Sequence, residues 1–186
     1  MKKIRNNSGF TLIELMCALL ILVILVIGMG VSMDAGTRIY RDATFEAESA
    51  TLAGILNTSL GDILRYSIDV RETTTDERLL HGSNVEFVFT NIDYGIQDAY
   101  FYIPPHLDGG YMGPVQLKNL RNPAVVELVN TGAYPDLVVS NFKVVYSPRL
   151  SSGVEGGYFE ISYLISSETD ATKTREVQSI VRLMND

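Results

Sequence analysis

The sequence predicts an α+β fold in which one long N-terminal helix, membrane-spanning in its first half and amphipathic in its second, packs on an antiparallel β-sheet. Three observations lead there. An apolar block opens the chain, a helical stripe of apolar residues follows it, and from Thr73 onward the apolar period changes to that of short strands separated by turn residues. With 186 residues the chain can build one sizeable domain.

The opening block accounts for the first element. From Leu15 to Met33 there are 19 consecutive uncharged positions, and Phe10 to Ile13 precede them. A helix of about 20 such residues crosses a hydrocarbon core of about 30 Å. Lys2, Lys3 and Arg5 stand before the block, so the N-terminus is expected in the cytoplasm and the C-terminal body outside it. The remaining 12 of the 15 basic residues face all 22 acidic ones, which leaves residues 10 to 186 with a net charge of −10. A body this acidic, with no later Lys/Arg cluster, disfavours nucleic acid as a partner. Cys17 is the sole cysteine, so no intrachain disulfide forms, and its place in the apolar block makes it a small hydrophobe facing lipid or a neighbouring helix.

Glu14 is the anomaly. A carboxylate near one end of an apolar helix is costly, and such residues usually have a partner. A disposable secretory signal has no use for one, although Gly28, Gly30 and Ser32 offer small residues after the apolar core.

Residues 38 to 66 supply the second half of the helix. Phe45, Leu52, Leu56, Leu60 and Ile63 recur at intervals of seven, four, four and three, while Arg41, Asp42, Glu46 and Glu48 fall largely off that stripe. A polar stretch from Ser32 to Thr37 separates the two halves. Gly54 and Gly61 read as interior glycines or places of close approach, and Asn57-Thr58-Ser59 as a chance glycosylation pattern inside a helix.

Strand candidates follow at 85–89, 99–103, 124–129, 142–146, 158–165 and 177–183. Phe159, Ile161, Tyr163 and Ile165 alternate with Glu160, Ser162 and Leu164, the pattern of a sheet with one covered face. Turn signals fall at Pro104-Pro105, Asp108-Gly109-Gly110, Ser151-Ser152-Gly153 and Gly156-Gly157. The amphipathic half of the helix is the natural cover for this sheet.

Catalytic material is thin, and the expectation is no enzyme, no cofactor and no metal site. His81 and His106 lack zinc-ligand spacing, and no phosphate-cradling, dinucleotide or nucleophile-elbow motif occurs. Asp93, Asp98 and Asp108 do not follow the calcium-loop pattern of the EF-hand. Tyr94, Tyr100, Tyr102 and Tyr111 read as half-buried sheet residues.

The stretch Gly9-Phe10-Thr11-Leu12-Ile13-Glu14-Leu15, with its short basic leader and long apolar run, resembles the N-terminal motif of type IV pilins and type II secretion pseudopilins. The motif proper covers about Gly9 to Gly30. The resemblance implies that a prepilin peptidase removes residues 1–9 by cutting between Gly9 and Phe10 and methylates Phe10. Residues 10–33 then remain as the transmembrane and filament-core helix, and residues 34–186 form the extracytoplasmic domain. It also implies that Glu14 pairs with the terminal amine of an adjacent subunit at Phe10, fixing register more than adding affinity. In the precursor the same carboxylate is expected to be unpaired or to snorkel toward the headgroups. The implied partners are the peptidase, other pilin or pseudopilin subunits, an inner-membrane assembly platform and the lipid bilayer, with ATP supplied by a separate motor. Length, together with the helix and late strands, resembles the larger minor pilins or minor pseudopilins.

Many pilins carry a proline late in the apolar helix, and this chain does not. Gly28 and Gly30 either provide the equivalent loosening or mark the membrane exit. The competing reading is a monomeric single-pass membrane protein with an extracellular binding domain.

Overall fold

The computed structural model describes residues 11–75, 86–105, 112–121, 125–129, 131–149 and 155–184. Gly9, Phe10, His81, His106, Asp108 and Tyr111 lie outside them. The chain divides into two compact units at Thr44/Phe45. Helix α1 (Leu12–Arg65) contributes to both.

In the N-terminal unit, α1 is bare. Its polar stretch does not interrupt it, and the hydroxyls there turn back onto the helix. Ser32 Oγ donates to the Gly28 carbonyl and Thr37 Oγ1 to the Met33 carbonyl, each at 2.9 Å. Asp34 and Arg38 add an i,i+4 ion pair at 3.1 Å.

In the C-terminal unit the strands follow in the order β1 (Ile68–Glu72), β2 (Phe87–Asn91), β3 (Ile96–Tyr102), β4 (Met112–Gly113), β5 (Gln116–Asn119), β6 (Val125–Glu127), β7 (Leu137–Arg149), β8 (Glu155–Ser167) and β9 (Thr174–Arg182). They form two antiparallel sheets, ordered β1-β2-β3-β5-β6 and β4-β7-β8-β9. The α+β fold is as expected, with its sheet divided in two and with β1, β4 and β5 added to the anticipated strands. β4 has only two residues, and β1 and β5 are short and largely polar; β5, for instance, buries only Leu117.

The expected stripe of α1 packs against both sheets: Leu52, Leu56, Leu60 and Ile63 are buried, with Phe45 partly so. Aromatic rings join the sheets. Phe87 on β2 lies 5.2 Å from Phe159 on β8, and Phe101 on β3 lies 6.2 Å from Phe142 on β7. Gly61 marks the approach of the helix to β9, where an added Cβ would reach Val181 at 4.0 Å; Gly54 faces open space.

Three bulges set which side chains turn inward. Asp69, Asp98 and Asn141 have positive φ of 51°, 47° and 51°, and each sits where its strand pairing shifts register. Short polar side chains tolerate this left-handed conformation best after glycine. On β7 the consequence is visible in burial: Leu137 and Val139 point inward before Asn141, whereas Phe142, Val144 and Tyr146 do so after it. The bulge changes the phase of a 13-residue strand so that both halves reach the core.

The C-terminal end of α1 is closed by three separate segments. Asn91, fully buried on β2, donates through Nδ2 to the Ile63 carbonyl at 2.8 Å. Ser67 Oγ donates to the same oxygen at 2.9 Å, and Met184 N–H donates to the Arg65 carbonyl at 2.9 Å. Carbonyls that a helix end leaves without intrahelical donors are thereby satisfied.

Gly156-Gly157 forms part of β8 instead of the expected turn. The reason is close approach: a Cβ on Gly157 would stand 2.6 Å from the Tyr146 hydroxyl and 2.8 Å from Leu183 Cδ1. Gly157→Ala is expected to destabilise the domain by about 1–3 kcal/mol, as overpacking does. A urea midpoint unchanged from wild type in the detergent-solubilised chain would contradict this.

Candidate assembly site

The apolar half of α1 begins with a capping box. Thr11 precedes the first helical residue, and both its backbone N–H and its hydroxyl donate to Glu14 Oε2 at 2.9 Å. Glu14 N–H in turn approaches Thr11 Oγ1 at 3.4 Å, and Leu15 N–H donates to the Thr11 carbonyl at 3.2 Å. Thr-x-x-Glu is the pattern by which a helix start satisfies donors that have no intrahelical acceptor. Glu14 therefore has a local hydrogen-bond partner in Thr11. Both bonds converge on Oε2, and among the described residues Oε1 receives none. Thr11 is a site residue that the apolar pattern does not mark; its three-residue spacing to Glu14 is the sequence signal for it.

Beyond the cap, every residue from Leu12 to Val31 is exposed, and an 18-residue window reaches a mean hydropathy of 3.0 with none of it buried by the chain's own fold. Such a surface is stable in lipid or against other apolar helices and unstable in water. Gly28 and Gly30 lie on this helix with open space where a Cβ would be. They are about 21 and about 24 Å along the axis from Glu14 and do not meet it. Cys17 is exposed on the same surface.

In the C-terminal unit the polar groups serve the fold. The Asp98 carboxylate lies 3.6 Å from Arg71 and 3.1 Å from Arg121. Tyr100 is buried, Tyr102 is half-buried with the Lys118 ammonium 3.4 Å from its ring centroid, and Tyr94 is exposed in the β2–β3 turn. Burial lowers the Lys118 pKa. In the β8–β9 turn, hydrogen bonds from the Thr172 hydroxyl at 2.6 Å and its N–H at 3.1 Å hold Asp170 below the usual carboxylate range. Among the described residues no three His, Cys, Asp or Glu side chains converge as a metal site would require.

One buried polar group ties the helix to the second sheet. The Tyr163 hydroxyl on β8 lies 3.1 Å from Asn57 Oδ1 and 3.2 Å from the Ala53 carbonyl, and Ser179 Oγ approaches the same Asn57 oxygen at 3.4 Å. Burial pushes the Tyr163 pKa up to about 12 from 10.0. The native state thus favours the neutral phenol, so this contribution is intact below pH 10 and is lost as pH rises toward 12. A shift of this size corresponds to about 2–3 kcal/mol. Tyr163→Phe is expected to flatten the fall in stability across that window; an unchanged alkaline slope in denaturant titrations would refute the assignment.

A family model described as the prokaryotic N-terminal methylation motif matches residues 4–30. Searches of curated proteins and of solved structures return no significant match. The motif is structural, not catalytic. Combined with one long apolar helix near the N-terminus, it marks a pilin-like structural subunit in general terms, carried on a single-pass membrane anchor. It implies processing by a prepilin peptidase and assembly with related subunits.

Proposed function

We propose that this chain is a structural subunit of a type IV pilus or related pseudopilus, cut between Gly9 and Phe10 and assembled through the helical segment from Phe10 to Gly30. The observation that carries this reading is the coincidence of the methylation motif over residues 4–30 with an apolar helix that its own fold leaves entirely bare. Residues 1–9 are the leader, residues 10–33 the segment held in lipid and later in the filament core, and residues 34–186 the extracytoplasmic domain. Lys2, Lys3 and Arg5 keep the N-terminus cytoplasmic.

Assembly exchanges lipid for equivalent helices from neighbouring subunits, so the apolar surface is covered both before and after it. The Glu14 carboxylate then meets the methylated amine of Phe10 on the adjacent subunit. Thr11 holds Oε2, and the second oxygen is available to that amine. An unpaired charge in an apolar medium is expensive, so the contact selects one register over others. Gly28 and Gly30 ease the helix where it leaves the membrane, helped by the Ser32 hydroxyl drawn to the Gly28 carbonyl. The domain's size is that of the larger minor subunits, with an inner-membrane platform supporting insertion into the filament.

Intact and N-terminal peptide mass spectrometry of the native protein tests this. The expected mature chain begins at N-methyl-Phe10 and retains the apolar helix. A chain beginning at Met1, or beyond Gly30, would leave only an anchored or secreted domain.

A further inference from the structure

Between α1 and the strands of the C-terminal unit lies a cavity of about 180 Å³, open to solvent on one side. Leu56 on α1, Val115 before β5, Val139 on β7, Val129 and Tyr134 wall it, and Glu168 is the only charged residue lining it. Leu56, Val115 and Val139 are buried, whereas Val129 and Tyr134 are half-buried. Protein interiors are close-packed, with few voids larger than a water molecule, so a space of this size exceeds ordinary packing slack.

The walls are fixed by backbone pairing. Gly113 on β4 pairs with Val139 on β7, and Leu128 N–H donates to the Val115 carbonyl at 3.0 Å. Leu137 N–H donates to the Tyr134 carbonyl at 3.2 Å and Glu168 N–H to the Asp136 carbonyl at 2.9 Å. These groups are committed to one another, which opposes collapse of the walls and leaves ordered water few polar partners inside.

Size and charge together define the ligand. An apolar void of about 150 Å³ in a protein core takes up benzene. The larger space here has room for one aromatic ring with a short alkyl link. Glu168 is exposed and, among the described residues, enters no ion pair. The excess of acidic over basic residues in the chain adds to the attraction for a cation. We propose that this cavity binds a small arylalkyl ammonium compound, with its ring between Leu56, Val115 and Val139 and its ammonium group at Glu168. An anionic group in the same place would meet like charge. The site lies wholly within the C-terminal unit, so it stands or falls separately from the filament reading.

The test is a titration of the full chain, with methyl-labelled Leu and Val, in phosphatidylcholine nanodiscs, which keep detergent out of the cavity. The probe is phenethylammonium, and 3-phenylpropionate supplies the same ring with the opposite charge. Saturable shifts of the Leu56, Val115 and Val139 methyl signals are expected, with a Kd no weaker than about 10 mM, within reach of a ligand of this size. The anionic probe should bind at least tenfold more weakly. Val129→Phe places a ring in the cavity and should weaken phenethylammonium at least tenfold. Glu168→Gln should weaken it about threefold, as the loss of an exposed charge pair does; this variant alters only an exposed side chain and decides the matter even if Val129→Phe fails to fold. Absence of saturable shifts, equal affinity for the two probes, or affinity unchanged by Glu168→Gln or by a folded Val129→Phe would overturn the inference.

Discussion

Glu14→Gln is expected to insert into the membrane at the wild-type level and to enter filaments about a hundredfold to a thousandfold less well, since removing one partner of a desolvated charge pair costs about 3–5 kcal/mol. The substitution is informative because of the capping box. Glutamine at the third helical position also serves in that motif, so Thr11 keeps an acceptor and the helix keeps its start. Only the charge is lost. Glu14→Ala removes cap and charge together, and Thr11→Ala removes the cap alone, at about 1 kcal/mol. Filament content measured by immunoblot of sheared fractions, set against membrane content, separates the three. Incorporation of Glu14→Gln equal to wild type would defeat the charge-pairing role, and equal losses for Thr11→Ala and Glu14→Gln would assign the effect to helix initiation.

Phe159→Ala is expected to cost about 3–5 kcal/mol, the usual range for deleting a buried ring. Phe159 has no exposed surface and sits between Phe87 of the other sheet, at 5.2 Å, and Tyr146 of the neighbouring strand, at 5.1 Å. Its removal opens a cavity at the junction of the two sheets. Domains of this size are stable by about 5–15 kcal/mol in total, and with a single cysteine there is no disulfide to restrain the unfolded chain. The variant should therefore be degraded outside the membrane while its helix still inserts. Urea unfolding of the detergent-solubilised chain, followed by near-UV circular dichroism, measures the loss directly. Ile180→Ala is the control: its side chain is 67% exposed on the neighbouring strand β9 and should change stability by no more than about 0.5 kcal/mol. Similar midpoints for the two variants would show that the sheets do not depend on the Phe159 contact.

Both experiments separate features of different legibility. Glu14 stands out in the sequence because a charge in an apolar run has no bland explanation. Its partner Thr11 is less conspicuous, because Thr-x-x-Glu is a common spacing at helix starts and carries no sign of a membrane. The stripe from Leu52 to Ile63 is legible because helical periodicity survives over several turns. β8 is legible because its inward residues are large and apolar and its outward ones mostly polar. β1 and β5 are not, since a strand held mainly by backbone pairing carries little side-chain signal. Gly156-Gly157 misleads because glycine marks turns and close approaches alike, and only the position of Tyr146 and Leu183 tells them apart.

The features legible along the chain are local and one-dimensional: an apolar length matched to a bilayer, a methylation motif at its head, a helical stripe, and the alternation of β8. These properties depend on residues a few positions apart, so they can be read without knowing what they touch. The division of the strands into two sheets, the phase change at Asn141, the closure of α1 by Asn91 and Met184, and the burial of Tyr163 against Asn57 were decided only in three dimensions. Each joins segments far apart in the chain, and its free energy comes from contacts that no single segment contains.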